Sequence, residues 1–203
     1  MHIDNLFSIP ENSPETLQKI SGLLYLPNYI SEEDEAFYLQ NILQSEWLGD
    51  LKRRVQHYGY KYDYKVRFVD YSMKIGELPE WVQSLALQLY QQNLMPALPD
   101  QLIINEYEVG QGITHHIDCQ PCFGENVISI SLGSDCVMEF VHALSGEKIP
   151  VLLQRRSLVL LTGEARHLWK HGIVGRKKDT FQGISFPRNT RTSLTFRTIL
   201  PTH

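Results

Sequence analysis

From Gln101 to the end, this chain never holds an apolar pattern longer than a strand. LIINEY, NVISISL, CVMEFV, SLVLL and TSLTFRTIL are short, β-branched or alternating runs separated by turns that contain Gly, Asn and Asp. Closely spaced strands of this kind bury an apolar face only by pairing into a sandwich or barrel. The first half has a different period. SEEDEAFYLQNILQSEW reads as a helix, with Ser31 as N-cap, Glu32, Glu33 and Asp34 at the positive end of its dipole, and Ala36, Leu39 and Leu43 at helical spacing. PEWVQSLALQLYQQNLM reads as a second helix, with Pro79 in its first turn, Val82, Leu85 and Leu89 on one face, and Pro96 as its stop. No internal repeat, low-complexity tract or linker divides the chain, so the expectation is one mainly β domain with flanking helices.

Composition narrows the class further. With 203 residues and 42% hydrophobic content there is enough material for a sizeable core. The formal charge of −4 argues against a protein coated with cations for bulk nucleic-acid binding, although a local basic patch can still meet phosphates. Three cysteines are not the basis of a disulfide framework and fit a reducing compartment. No apolar run approaches the ~18 residues of a membrane span, and the N-terminus lacks a basic-then-apolar leader pattern. The expectation is therefore a cytoplasmic protein that does not enter membranes, and a monomer.

The tripeptide H-I-D occurs twice, at His2 to Asp4 and at His116 to Asp118. In a strand, residues i and i+2 share a face, so His116 and Asp118 can present two metal ligands while Ile117 points into apolar packing. The terminal copy has no periodic strand around it and reads as a chance match. A third ligand is available in ARHLWKHGIVG as His167 or His171. His171 is favoured because Ile173 and Val174 continue a strand beyond it, whereas His167 lies nearer a turn. Two imidazoles and one carboxylate bind one face of an octahedral Fe(II) and leave room for a chelating cosubstrate and dioxygen. A cosubstrate of that type needs an anion-binding arm. In RNTRTSLTFRTIL, Arg191, Ser193, Thr195 and Arg197 share one strand face, with the arginine Cα atoms ~20 Å apart if the strand is straight. The planar guanidinium fork suits a carboxylate.

Asn105-x-Tyr107, His116-x-Asp118, His171 and Arg191 to Arg197 together resemble the signature of the AlkB-like Fe(II)/2-oxoglutarate dioxygenases. LKRRVQHYGYKYDYK, EYEVGQGITHHID, ISLGSDCVMEF, RRSLVLLTGEARHLWKHGI and RTSLTFR are similar to the branch whose oxygenase domain hydroxylates a modified wobble uridine in tRNA. The resemblance runs from about Gly22 to Ile199. It implies a double-stranded β-helix (jelly roll) with an N-terminal helical layer and a nucleotide-recognition lid. It also implies His116, Asp118 and His171 on iron, Asn105, Tyr107 and Arg191 on 2-oxoglutarate, Arg197 near the metal-bound end, and Ser193 where the DNA-repair members carry Asn. His167 stands where that branch commonly has Tyr. The domain expectation is an extension over 1–21 and one dioxygenase domain over 22–203, with a lid at about 50–75 and a jelly-roll core at about 100–200.

The lid segment interleaves Lys52, Arg53, Arg54, Lys61, Lys65 and Arg67 with His57, Tyr58, Tyr60, Tyr62 and Tyr64. Cations hold phosphates and aromatic rings stack on unpaired bases, so Arg53, Arg54, Tyr58 and Tyr60 are the substrate-binding candidates, with RNA or tRNA favoured over DNA. A hairpin with aromatic packing on one side and solvated cations on the other is the competing reading. Cys119 and Cys122 form C-x-x-C directly after Asp118; with no second ligand cluster and no strand-to-helix context, they read as loop cysteines beside the substrate. Oxidative repair of alkylated DNA or RNA, oxidation of a protein side chain or small molecule, and a non-catalytic jelly-roll binding protein are the alternatives to nucleobase oxidation in RNA. The intact ligand set argues against the last.

Overall fold

In a computed structural model, which describes residues 9–49 and 51–200, the strands form two facing antiparallel sheets. The larger sheet has the order β1-β8-β5-β12-β3-β2, built from β1 (Leu23–Leu26), β2 (Arg54–Tyr58), β3 (Gln101–Tyr107), β5 (Val127–Leu132), β8 (Leu158–Leu161) and β12 (Arg191–Arg197). The smaller has the order β4-β9-β6-β7, built from β4 (Ile113–His116), β6 (Cys136–His142), β7 (Lys148–Leu153) and β9 (Trp169–Ile173). β10 (Lys178–Phe181) and β11 (Ile184–Pro187) make a separate hairpin. This is the mainly β, double-stranded β-helix architecture expected from the run of short strands.

Strand periodicity divides the core in two. On the outer face of the large sheet, Leu102, Ile104, Ile128, Ile130, Leu158, Leu160, Leu194 and Phe196 are buried beneath helices α2 (Glu32–Leu43) and α3 (Glu80–Gln91). Between the sheets, Val127, Val159 and Leu161 meet Met138, Phe140, Val151, Trp169 and Ile173. Strands β5 and β8 of the large sheet carry apolar side chains to both faces because both are covered. Two strands of that sheet, β1 and β2, lie before residue 100, so the jelly roll begins earlier in the chain than its strand-rich second half suggests. Short helix α1 (Pro14–Gln18) also precedes residue 22, and Ile20 after it is buried in the inter-sheet core.

Both long helices form where expected, with two corrections. Ser31 caps α2 in a reciprocal capping box with Asp34. The buried stripe of α2 is Glu35, Tyr38 and Ile42, however, and Leu43 is 65% exposed. Glu35 is tolerated inside because its carboxylate accepts from the Gly133 amide and pairs with Arg155 at 2.6 Å. Helix α3 buries Val82, Leu85 and Leu89 as the spacing requires. It ends at Gln91, before Pro96, because Asn93 takes a left-handed φ of 57° and the Leu94 and Met95 amides turn back to the Leu89 carbonyl. Short helix α4 (Gly163–His167), between β8 and β9, was not legible as a helix.

Candidate metal and cosubstrate site

A cavity of about 400 Å³ opens between the two sheets. Its floor is the inward face of the large sheet. Ile103, Asn105 and Tyr107 from β3, Ser129 from β5, and Arg191, Ser193, Thr195 and Arg197 from β12 all line it. The register places Arg191 opposite Tyr107 and Ser193 opposite Asn105, so the residues expected to meet a dicarboxylate form one continuous patch. The opposite face of β12 carries Leu194 and Phe196 into the core under the helices.

β4 and β9 supply the other wall. His116 and His171 are register partners, and their ring centroids are 4.5 Å apart. This approach needs glycine at 172, where a Cβ would lie 2.9 Å from the His115 amide nitrogen of the neighbouring strand. Asp118 follows just beyond β4. Ligand atoms of His116, Asp118 and His171 all lie within 4.8 Å of one another, and among the described residues this is the one such group of three or more. His2 and Asp4 lie outside the described residues. His167 turns away and bonds to Glu125 at 2.9 Å.

The electrostatics suit a divalent cation. Burial alone would raise the Asp118 carboxyl, but Arg197, the contact with His116 and the neighbouring imidazoles outweigh it and hold the group well below the usual carboxylate range. Arg197 donates to the carboxylate from two nitrogens, Nε and Nη2, each at 3.2 Å. His171 is pushed down to about 3, first by burial and then by His116, so its imidazole is neutral and keeps a lone pair for a metal. His116 Nδ1 lies 2.8 Å from the Thr114 carbonyl; donating there leaves Nε2, 3.6 Å from Asp118 Oδ1, as the free lone pair.

Two buried polar atoms of the site, His171 Nδ1 and Arg191 Nε, have no partner among the protein's own groups. Arg191 uses Nη2 to donate to Ser131 at 2.8 Å, and its guanidinium carbon lies 5.6 Å from the Tyr107 ring centroid. A carboxylate would complete the guanidinium fork. The donor set therefore fits Fe(II), and the arginine patch fits the acid cosubstrate.

The roof differs from its expected form. Arg53 turns inward, donating through Nε to Asn105 at 2.8 Å, with its guanidinium carbon 5.6 Å from the Tyr64 ring and 5.9 Å from the Tyr107 ring. Arg54 points away, paired with Glu106 and 4.6 Å from the Trp47 ring. Tyr58 packs on Trp81 and Tyr60 on Tyr71, and neither lines the cavity. Of the roof tyrosines, Tyr62 and Tyr64 line the cavity, joined there by Arg67. Sequence parity could not separate these tyrosines, since all four are even-numbered. The chain changes course at Gly59, whose φ is +76° and where a Cβ would clash with the Asp100 carbonyl oxygen.

Arg166 was also missed. It is 1% exposed and donates to the backbone carbonyls of Asp118 (3.0 Å), Cys119 (3.1 Å), Phe123 (3.4 Å) and Gly124 (3.4 Å). It holds the loop that carries Asp118. An arginine beside a histidine in a turn carries no sequence signal for that role.

Comparison with known proteins places this geometry in context. Residues 22–197 match the family described as the 2OG-Fe(II) oxygenase superfamily. The mouse protein named tRNA (carboxymethyluridine(34)-5-O)-methyltransferase ALKBH8 is 40% identical over 202 residues, covering 88% of this chain and 30% of its own length. Uncharacterized protein L905 of Acanthamoeba polyphaga mimivirus is 33% identical, covering 90% of this chain and 87% of its own. The solved structure of OsALKBH1 superposes with a TM-score of 0.67 at 18% identity, over 87% of this chain and 98% of that one. The last similarity is one of fold.

Proposed function

The chain belongs to the 2OG-Fe(II) oxygenase superfamily, and from that premise we propose that it oxidises a modified nucleobase of RNA, with tRNA the favoured substrate, by hydroxylation or demethylation. One observation carries the proposal: a cluster of two imidazoles and a carboxylate faces, across one cavity, an arginine whose buried Nε lacks a partner. In this reading His116, Asp118 and His171 hold the iron. Arg191, with Tyr107, Asn105 and Ser193, takes the far carboxylate of 2-oxoglutarate, and Arg197 braces Asp118 near the metal-bound end. Iron(II), 2-oxoglutarate and dioxygen together supply the oxidant for a C–H bond, with succinate and carbon dioxide as coproducts.

The protein's own residues do the rest. Neutral His171 and ionised Asp118 offer lone pairs without first losing protons at neutral pH. Val127, Met138, Val159 and Leu161 make the inner wall apolar and exclude water from the reacting centre. Tyr62 and Tyr64, which line the cavity, are the aromatic side chains against which an unpaired base would pack. The RNA assignment draws on the mouse relative's name and on these rings. Because the chain spans 30% of that relative's length, the relative's full activity is not carried over. No helix among the described residues is long and apolar enough to cross a membrane.

The test is mass spectrometry of nucleosides from tRNA, other RNA and DNA after incubation with enzyme, Fe(II), ascorbate and 2-oxoglutarate, beside an Asp118→Ala control. A new oxidised nucleoside confined to tRNA supports the reading. Succinate formation with every nucleoside unchanged would shift the substrate to a protein side chain or small molecule.

A further inference from the structure

The C-x-x-C after Asp118 is not absorbed by iron or cosubstrate binding. In the structure Cys119 and Cys122 are joined as a disulfide, whereas the sequence reads them as loop cysteines with no pairing. Cys119 is 8% exposed and lines the cavity, while Cys122 is 1% exposed behind it. Their sulfurs lie 3.4 and 3.7 Å from one oxygen, the Arg67 carbonyl in the roof. The guanidinium of Arg67 in turn donates to the Ile117 carbonyl at 2.8 Å. Roof and metal-ligand loop therefore meet at Arg67 and the sulfur pair. Positive charge stands alongside: Arg166 on the Asp118 and Cys119 carbonyls, and Arg197 on the Asp118 carboxylate and 4.7 Å from the Phe123 ring.

We propose that Cys119 and Cys122 are a redox-active pair that sets how firmly the roof is held: the disulfide form keeps the contacts described above by packing and by Arg67, and reduction adds an S–H donor that tightens the roof further. The sign follows from hydrogen-bond chemistry. A thiol can donate its S–H to the Arg67 carbonyl; a disulfide has no hydrogen to give and turns sulfur lone pairs toward that oxygen. Cys119, reached through the cavity, is the attacking sulfur. Toward a hydroperoxide, its sulfur takes one oxygen as the O–O bond breaks, and the thiol proton goes to the departing oxygen, giving a sulfenic acid and water or an alcohol. The Cys122 thiol then displaces the sulfenic hydroxyl as water and closes the S–S bond. In reverse, an external dithiol attacks the disulfide, passes through a mixed disulfide, and leaves as its own cyclic disulfide, having given two electrons and two protons to the pair. That the roof governs substrate entry rests on the proposed function; the sulfur chemistry and its hold on the roof do not.

The full chain, loaded with Mn(II) and 2-oxoglutarate so that iron oxidation does not interfere, is equilibrated across ratios of reduced to oxidised dithiothreitol. Alkylation and mass spectrometry count the free thiols, and hydrogen–deuterium exchange follows residues 62–68 without any nucleic acid present. The expected result is a reversible two-electron transition at Cys119 and Cys122, with roof amides exchanging about two- to fivefold faster in the oxidised form. Cys119→Ala with Cys122→Ala should abolish the redox dependence. The pair resisting oxidation or reduction throughout, or equal roof exchange in both wild-type states, would overturn the proposal; these wild-type measurements decide even if the double variant does not fold. A missing RNA product leaves the outcome unaffected, so failure of the redox-dependent hold and failure of the substrate assignment are separable.

Discussion

Along β12 all seven residues are buried and each is paired in register with β3, whereas across the cavity the 60–75 segment is folded on itself by two isolated bridges, Tyr60 with Lys74 and Asp63 with Phe68. Side chains complete the roof's attachment. The Tyr62 amide donates to His57 Nδ1 at 3.0 Å, Tyr62 packs on Phe123 with centroids 5.5 Å apart, and Arg67 reaches the Ile117 carbonyl. The floor is fixed by a backbone ladder that any strand-compatible sequence can form. The roof is fixed by particular side chains, so it can open locally at a cost far below that of unfolding the sheet. The proposed function, in which a metal is held rigidly and a large substrate admitted, needs both kinds of construction.

Four experiments break or sharpen this contrast. The largest effect is expected at the metal wall. Asp118→Ala removes a ligand and leaves Arg197 buried without its carboxylate, so Mn(II) affinity should fall more than ~100-fold and stability by about 3–5 kcal/mol. Titration calorimetry and denaturant unfolding measure the two losses; intact metal binding would remove Asp118 from the ligand set.

On the floor, Arg191→Met should weaken 2-oxoglutarate binding roughly 30-fold or more, because it removes a desolvated partner of a carboxylate. Metal binding without the cosubstrate should persist. Unchanged 2-oxoglutarate affinity in Mn(II)-loaded protein would assign the unpartnered Nε to another ligand.

The roof variants should separate binding from folding. Tyr64→Ala should weaken binding of a single-stranded RNA loop about tenfold through lost stacking, with succinate formation in the absence of RNA little altered. Tyr60→Ala should lower the melting temperature instead, since Tyr60 is 7% exposed against Tyr71 and does not reach the cavity. If the two substitutions exchange these effects, the assignment of roof faces is wrong.

The smallest change is expected from the exposed cations. Arg53 and Arg54 already bond to Asn105 and Glu106, which leaves Lys61 and Lys65 as better phosphate partners on the roof. Replacing both lysines with alanine should reduce the salt slope of single-stranded RNA binding by about 1.4, at ~0.7 per phosphate contact. An unchanged slope would move the backbone contacts elsewhere.

The floor was legible because strand geometry is periodic. Once RTSLTFR is a strand, Arg191, Ser193, Thr195 and Arg197 must share a face, and covering the opposite face with Leu194 and Phe196 orients the arginines toward the interior. His116 and Asp118 followed the same logic, and a histidine on a strand supplied the third position. Local sequence also specified the Ser31 cap and the apolar face of α3. It did not specify that a carboxylate would occupy the buried stripe of α2, since Glu35 is satisfied by Gly133 and Arg155, residues about a hundred positions away.

The sequence by itself therefore determined the strand-rich architecture, the chemical types at the proposed metal and cosubstrate positions, and the family to which the chain belongs. Tertiary structure decided which tyrosines face the cavity, that Arg53 turns inward while Arg54 turns out, that Arg166 grips the Asp118 loop, and that two cysteines meet the roof. The physical reason is range. Strand and helix periods are set by neighbours two to four residues apart, whereas these contacts join segments about fifty residues apart, and a single bend at Gly59 redirects everything after it.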